Sequence, residues 1–159
     1  MVRKEVKTNA MRLLERLKIA YRQHEYECAE FKDGMQVADL LGLPRERVFK
    51  TLVTEGADRN HYVFVLPVAE ELDMEKAAKS VGVKALAMLR ITDLTRVTGY
   101  IRGGCTAVGM KKPLVTRISA KAQALPRIVV SGGRPGSQIE LAPDDLLRAS
   151  NAQYADITL

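Results

Sequence analysis

The chain has 159 residues, of which 47% are hydrophobic and 28% charged, so it can build a substantial core and wholesale disorder is excluded. Aromatic residues make up only 5% and tryptophan is absent, which argues against an extended base-stacking platform. The formal net charge of +6 favours an anionic partner.

The apolar and turn-forming residues predict alternating helices and strands along one domain. A first helix begins at Thr8 or Asn9, either of which can cap it, and carries Met11, Leu14 and Leu17 at helical spacing. The later predicted elements are a strand at 21–27, a helix at 34–41, a hairpin of strands at 48–53 and 61–66, a helix from 73 to 80, an ambiguous short strand at 85–89, a helical turn at 92–98, strands at 114–118, 127–131 and 138–141, a helix at 144–149 and an edge strand at 154–158. Hairpins outnumber βαβ units, which favours an α+β fold with a mixed or mostly antiparallel, curled sheet.

Several local signals fix the ends of these helices. Asp33 and Asp73 are predicted N-caps, and Gly42 and Gly82 are the corresponding stops. Pro143 suits the first turn of the last helix, where its missing N–H is not needed.

Cysteine usage and segment hydropathy predict a cytoplasmic protein without metal or cofactor. Cys28 and Cys105 are far apart and form no CxxC motif, which indicates a reducing compartment and no structural zinc. Histidines and carboxylates lack metal-ligand spacing. Residues 1–7 do not resemble a signal peptide, and the longest apolar runs are too short to span a bilayer, so no membrane association is expected.

A glycine-rich segment at 99–112 is flanked by basic residues. It nearly matches a phosphate-binding P-loop, but the lysine is one place late and Pro113 stands after the lysine pair, so nucleotide hydrolysis is not expected. Such a loop either presents backbone N–H groups to an oxyanion or terminal ribose, or forms an ordinary turn; spacing alone does not separate the two.

The same region is strongly basic. From 94 to 139 the chain has no acidic residue and eight basic ones: Arg96, Arg102, Lys111, Lys112, Arg117, Lys121, Arg127 and Arg134. A nucleic-acid backbone is the natural partner for such a concentration of charge.

Lys50 interrupts an apolar strand. The alternation places it on one face with Val48 and Leu52, and burying an amine there is costly unless it has a partner or a role. Either it lines a cavity or it snorkels to the rim of a strand whose second face is wet.

Two other reactive residue types are better explained by structure. No histidine is close in sequence to Cys105, so a small residue that fills space in the loop is favoured over a nucleophile. His24 lies in an alternating segment and is interpreted as a structural histidine. Asp144 and Asp145 match the dipole of the last helix.

Six ordered blocks, taken together, give the chain a family resemblance. They are Lys7-Thr-Asn-Ala10, Val48-Phe-Lys-Thr-Leu52, Ala77-Ala-Lys-Ser-Val-Gly82, Thr98-Gly-Tyr-Ile-Arg-Gly-Gly-Cys-Thr-Ala-Val-Gly-Met-Lys-Lys112, Val130-Ser-Gly-Gly-Arg-Pro-Gly136 and Ile139-Glu-Leu-Ala-Pro-Asp-Asp-Leu146. This order resembles the YbaK-type aminoacyl-tRNA deacylases, relatives of the editing domain of bacterial prolyl-tRNA synthetase.

The resemblance implies one editing domain over residues 1–159, with a strongly curved mixed sheet and flanking helices. It implies clearing of mischarged tRNA, chiefly Cys-tRNA(Pro) and also Cys-tRNA(Cys), with the acceptor end as partner and prolyl-tRNA synthetase as a second partner. Lys50 matches the family's essential lysine. The other implied site residues are Tyr26, Gly103, Gly104, Cys105, Thr106 and Asp145 for the substrate, with Arg102, Lys111 and Lys112 for tRNA, and Asp33 nearby.

The implied chemistry is substrate-assisted: the thiol of the cysteinyl group attacks its own ester. The family usually has Ser-Pro where this chain has Thr106-Ala107, so the hydroxyl is kept and the loop is expected to be looser. Two alternatives stay open at this stage, a deacylase for another species such as Ala-tRNA(Pro) and a non-catalytic tRNA-binding accessory of the synthetase.

Overall fold

The computed structural model describes residues 7–159, so the charged first residues, 1–6, lie outside the described part. The elements, in chain order, are α1 (Asn9–Arg16), β1 (Arg22–Glu25), α2 (Gly34–Leu41), β2 (Phe49–Gly56), β3 (His61–Pro67), α3 (Met74–Val81), β4 (Leu86–Met88), α4 (Ile91–Thr98), β5 (Val115–Ser119), β6 (Ile128–Ser131), β7 (Ser137–Leu141), α5 (Pro143–Ser150) and β8 (Gln153–Ala155). Short 3₁₀ turns lie at Arg45–Arg47 and Ala120–Ala124.

The strands form two sheets that meet along β2 and β6. One has the order β4-β2-β3-β5-β8 and the other the order β1-β7-β6. Strands β3, β5 and β8 run parallel and the other pairs are antiparallel. A single parallel bridge between Val48 and Val129 joins the two sheets. The predicted α+β class with curved, mixed and mostly antiparallel strand pairing is confirmed; the strands are divided between two sheets, and neither closes into a barrel.

The predicted helix caps are confirmed because they depend on local chemistry. Asp33 forms a full capping box with Gln36 at the start of α2, and its carboxylate accepts from the Gln36 N–H at 2.9 Å. Asp73 likewise accepts from two N–H groups of α3. Gly42 ends α2 in the left-handed region that glycine tolerates, with φ of 68°.

Two segments, one near each end of the described chain, differ from the sequence prediction. Of the edge strand predicted at 154–158, only the first part pairs with β5, within β8 (Gln153–Ala155), and Thr158 instead forms an isolated antiparallel bridge with Leu72. Leu17, predicted to belong to the apolar stripe of α1, is its C-cap and is 37% exposed.

The core divides into a main cluster and a second one across the larger sheet. The main cluster contains Met11 and Leu14 of α1 together with inward residues of β2, β3, β6 and β7. The second cluster packs Phe64 and Leu66 of β3 against Ala77 of α3. Strand β3 is therefore covered on both faces, which explains its unbroken apolar run.

The helices of the described part are all short. Each of α1 to α5 has eight residues, and within residues 7–159 none has the length and apolar character needed to cross a bilayer.

Phe64→Ala is expected to lower the free energy of unfolding by about 3–5 kcal/mol, because the side chain is fully buried and its removal leaves a cavity. Urea denaturation monitored by circular dichroism measures this loss. Leu40→Ala is the control, since Leu40 is 54% exposed and its truncation should cost under about 0.5 kcal/mol. Equal losses in the two variants would contradict the described core.

Candidate functional site

A cavity of about 350 Å3 opens between β2, the start of α2, α4 and the glycine-rich loop. Its lining residues are Tyr26, Phe31, Lys32, Asp33, Gly34, Val37, Val48, Phe49, Lys50, Thr51, Leu52, Val53, Met88, Leu89, Ile91, Leu94, Arg102, Gly103, Cys105, Ser131 and Gln138. The size falls within the range usual for small-molecule sites.

Strand β2 carries Lys50 into this cavity. Phe49 and Val53 of the same strand pack into the main core, and Leu52 packs against the second cluster, so the strand is fixed on both sides of the lysine. Within residues 7–159 the Lys50 amine makes no hydrogen bond or ion pair. Of the two roles considered from the sequence, the one in which Lys50 lines a cavity agrees with this placement.

The Lys50 amine is electrostatically perturbed. Burial lowers its pKa below the usual lysine value, and the negative charges of Glu71, Asp33 and Glu70 oppose this only in part. A half-buried amine with no direct partner is available to an anionic or strongly polar ligand.

The glycine-rich loop forms a second wall of the cavity. Gly103 has φ of 84°, which a side chain would strain, and it lies beside Phe31. A Cβ on Gly104 would meet Pro135 Cδ at 2.7 Å and Arg134 Cα at 2.9 Å, so only glycine allows the loop to approach the β6–β7 turn so closely.

The remainder of the loop is packed inward. Thr106 is buried and its hydroxyl accepts from the Val108 N–H at 3.2 Å. Neither Gly104 nor Thr106 belongs to the cavity lining, although Gly103 and Cys105 do. Ala107, at the position where the family usually has proline, is also buried. The Thr106 hydroxyl thus stabilises the loop that presents Cys105.

Cys105 faces the cavity as a thiol. Burial raises its pKa to about 12, so the nucleophilic thiolate is scarce at neutral pH. Neither of the chain's histidines lines the cavity. Instead, His24 Nε2 lies 2.8 Å from Glu140 Oε1, so His24 has the structural role predicted for it.

Three lining residues, one just after β1 and one each on β6 and β7, have polar groups near one another. Ser131 and Gln138 face each other in the β6–β7 register, and the Ser131 hydroxyl accepts from the Gly133 N–H. Burial raises the pKa of Tyr26, and hydrogen bonds from the Gly136 backbone and the Gln138 side chain oppose that shift. Tyr26 was a sequence candidate, whereas Ser131 and Gln138 were missed. The signal for Ser131 was a polar residue at the end of an otherwise apolar strand, whereas Gln138 lies in a strand with other polar residues and had no such signal.

Asp145 lies away from the cavity lining. It is half-buried in the first turn of α5, and its N–H donates to Ala142 O at 3.0 Å. Its neighbour Asp144 accepts from the Tyr154 hydroxyl at 2.7 Å.

Much of the basic segment is used internally. Arg96 pairs with Asp93, Lys121 with Glu70 and Arg134 with Glu25, all acids outside the acid-free stretch. Arg117 instead donates to Ser80 O at 3.1 Å. Within segment 94–139, the exposed cations that have no acidic partner among residues 7–159 are Arg102, Lys111, Lys112 and Arg127. Of these, Arg102 lines the cavity.

The described side chains contain no cluster of three or more histidines, cysteines, aspartates or glutamates suited to a metal ion. The cavity is therefore described by its lysine, its tyrosine, its amide and hydroxyl groups and the backbone of the glycine-rich loop.

The fold and this cavity define a class of protein. A family model for the aminoacyl-tRNA editing domain matches residues 29–149, which include the cavity except for Tyr26. The chain belongs to this family. It is also 46% identical, over 153 residues covering 96% of this chain and 93% of the relative, to an Enterococcus faecalis protein named "Putative Cys-tRNA(Pro)/Cys-tRNA(Cys) deacylase EbsC".

Two solved structures share the fold. One is described as "a putative trans-editing enzyme for prolyl tRNA synthetase"; it has a TM-score of 0.80 at 24% identity and covers 98% of this chain and 99% of its own. The other, described only as a hypothetical protein, has a TM-score of 0.86 at 20% identity and covers 96% and 100%.

Cys105 is expected to react with iodoacetamide far more slowly than Cys28 at pH 7.5, because its thiol is buried with a pKa of about 12 while Cys28 is only half-buried. Mass spectrometry of peptides after timed labelling measures the two rates. In urea both cysteines should label at similar rates. Fast native labelling of Cys105 would contradict its assignment as an unreactive cavity thiol.

Proposed function

We propose that this protein is a trans-editing deacylase that clears mischarged aminoacyl-tRNA, chiefly Cys-tRNA(Pro) and also Cys-tRNA(Cys). The observation that carries this proposal is a single cavity, in an aminoacyl-tRNA editing domain, lined by both Lys50 and the glycine-rich loop. The 46% identity to the Enterococcus faecalis relative over nearly the whole chain supports the choice of cysteinyl substrate.

Each wall of the cavity has a proposed task. Lys50 binds the polar end of the substrate near its terminal ribose and ester, since its amine has no hydrogen-bond or ion-pair partner among residues 7–159. Gly103 and the adjoining loop backbone lie close to the substrate carbonyl and stabilise the oxyanion that develops there. Tyr26 and Gln138 form the polar wall that orients the aminoacyl group.

The substrate supplies the nucleophile in this proposal. The sulfur of the cysteinyl group forms a bond to its own ester carbonyl carbon, the carbon–oxygen bond to the ribose breaks, and the thiol proton ends on the released ribose hydroxyl. The products are free tRNA and a cyclic cysteine thioester, which water then opens. The cavity has a thiol with a pKa of about 12 and no lining histidine, which agrees with a nucleophile supplied by the substrate rather than by the protein.

Selectivity follows from the same chemistry. An alanyl group has no thiol and cannot react with itself, whereas pocket size alone separates such small groups by only ~1–3 kcal/mol per methylene. A deacylase of Ala-tRNA(Pro) and a non-catalytic tRNA-binding accessory are the competing functions, and the deacylation assay below, with both aminoacyl-tRNAs, separates all three.

The preference for one tRNA over another must come from contacts outside the cavity, because the 3′ nucleotides that fit a small cavity are common to all tRNAs. We propose that Lys111 and Lys112 contact backbone phosphates without reading sequence, and that prolyl-tRNA synthetase supplies preference for tRNA(Pro). A pull-down of the synthetase with purified protein and tRNA tests this partner directly.

Lys50→Ala is expected to slow deacylation of Cys-tRNA(Pro) by about 100- to 1000-fold, the range for losing one well-placed polar contact to the reacting group. Release of labelled cysteine over time measures it, with Ala-tRNA(Pro) as a parallel substrate. Lys84→Ala is the matched control, since Lys84 is exposed and outside the cavity, and should retain the wild-type rate.

Other outcomes of this assay are equally clear. Full activity of Lys50→Ala with an intact fold would overturn the assigned role of the lysine. Loss of alanine rather than cysteine would replace the substrate and remove the self-attack mechanism. Binding without turnover of either substrate would favour the accessory function.

The rate advantage of the wild type over Lys50→Ala is expected to fall as pH rises through the lowered pKa of Lys50, which lies below the usual lysine value. The reason is that the charged amine is the form that contacts the substrate, and its population declines above that pKa. Rates of both proteins measured from pH 7 to 10, with uncatalysed ester hydrolysis subtracted, test this, because their ratio removes the effect of the substrate thiol, which ionises in the same range. A ratio that rises through the same pKa would instead make the neutral amine the proton acceptor.

A further inference from the structure

A second cavity, of about 260 Å3, lies directly beside the first. The two share five lining residues, Tyr26, Phe31, Lys32, Arg102 and Gly103, so they are separated only by this wall. Residues that line the second cavity alone include Ala29, Glu30 and Pro135. The proposed function uses the first cavity and leaves the second unexplained.

The shared wall has the composition of a nucleotide-binding surface. The Arg102 guanidinium carbon lies 3.7 Å from the centroid of the Phe31 ring, and Phe31 is 44% exposed despite its size. Aromatic rings and guanidinium planes are the groups on which unstacked bases stack. Lys32 adds a second cation to the wall and makes no ion pair with any described residue.

We infer that the second cavity binds the penultimate nucleotide of the substrate's 3′ end, and that Lys32 and Arg102 hold the phosphate joining it to the terminal adenosine. This inference rests on the proposed function. When the aminoacyl end occupies the first cavity, the chain must leave past its rim, and the wall shared with the next cavity carries two cations at that exit. The base of the penultimate nucleotide then stacks on the Phe31–Arg102 pair.

The second cavity also contains an acidic group that suits a base rather than a second phosphate. Glu30 is the acid of its lining, and a carboxylate accepts hydrogen bonds from an exocyclic amino group. The penultimate base of tRNA is cytosine, which carries such a group.

The experiment compares kcat/KM for cysteinyl-adenosine, which fills only the first cavity, with cysteinyl-CpA, which adds one cytidine and one phosphate. The wild-type protein should favour the dinucleotide by about 5- to 100-fold, the equivalent of one stacked base. Ala29→Phe, which fills the second cavity, should bring this ratio close to one, and Lys32→Ala, which removes one of the two phosphate contacts, should lower it without abolishing it.

Matched controls separate a local effect from a general one. Ala57→Phe places the same ring on an exposed site outside both cavities, and Lys84→Ala removes an exposed lysine elsewhere; both should keep the wild-type ratio. Because the ratio compares two substrates of one variant, partial loss of folded protein cancels.

Failure of this inference is distinguishable from failure of the proposed function. Equal kcat/KM for the two substrates in the wild type would overturn the second subsite and leave the deacylase assignment intact. A preference for the dinucleotide that is unchanged in both Ala29→Phe and Lys32→Ala would place the subsite elsewhere and also overturn the inference. No turnover of either compound or of Cys-tRNA(Pro) would overturn the proposed function itself.

Discussion

The position of strand β2 is the constraint on which the rest of the site depends. It pairs with β3 along its length, with β4 at its far end and, through Val48, with the second sheet. Residues 48–53 all line the cavity, because the strand runs where the two sheets separate. A cavity wall that pairs with β3 along one edge and is held at both ends of its other edge moves little, so the Lys50 amine has a defined position before any ligand arrives.

That fixed position has an electrostatic cost. Among the described residues no counter-ion contacts the half-buried Lys50, and the fold tolerates this because the cavity remains open to solvent on one side and three acids lie at longer range. A ligand that offers ester, ribose or phosphate oxygens relieves the same cost. The unfavourable burial of one amine and the proposed affinity for a polar substrate end are therefore two aspects of one interaction.

The glycine-rich loop shows how charge and packing are divided. Gly104 lets the loop contact the β6–β7 turn, and this contact brings Gly103 and Cys105 to the cavity. Some of the basic residues that follow form ion pairs with acids from other segments, such as Glu70 and Glu25. The charge left for a nucleic-acid partner is therefore smaller and more localised than the net charge of the stretch indicates.

The sequence by itself determined most of the elements, and the ends of α2 and α3 in particular, because caps and stops such as Asp33 and Gly42 act over a few residues. It also singled out Lys50, since a lysine within an apolar strand is anomalous wherever the strand lies. Only the tertiary structure decided which candidates meet: Tyr26, Gly103 and Cys105 join Lys50, whereas Gly104, Thr106 and Asp145 do not line the cavity. Ser131 and Gln138 entered the site through strand pairing. The ion pair between Arg134 and Glu25, which lie 109 residues apart in the chain, also depends on long-range packing that no local pattern encodes.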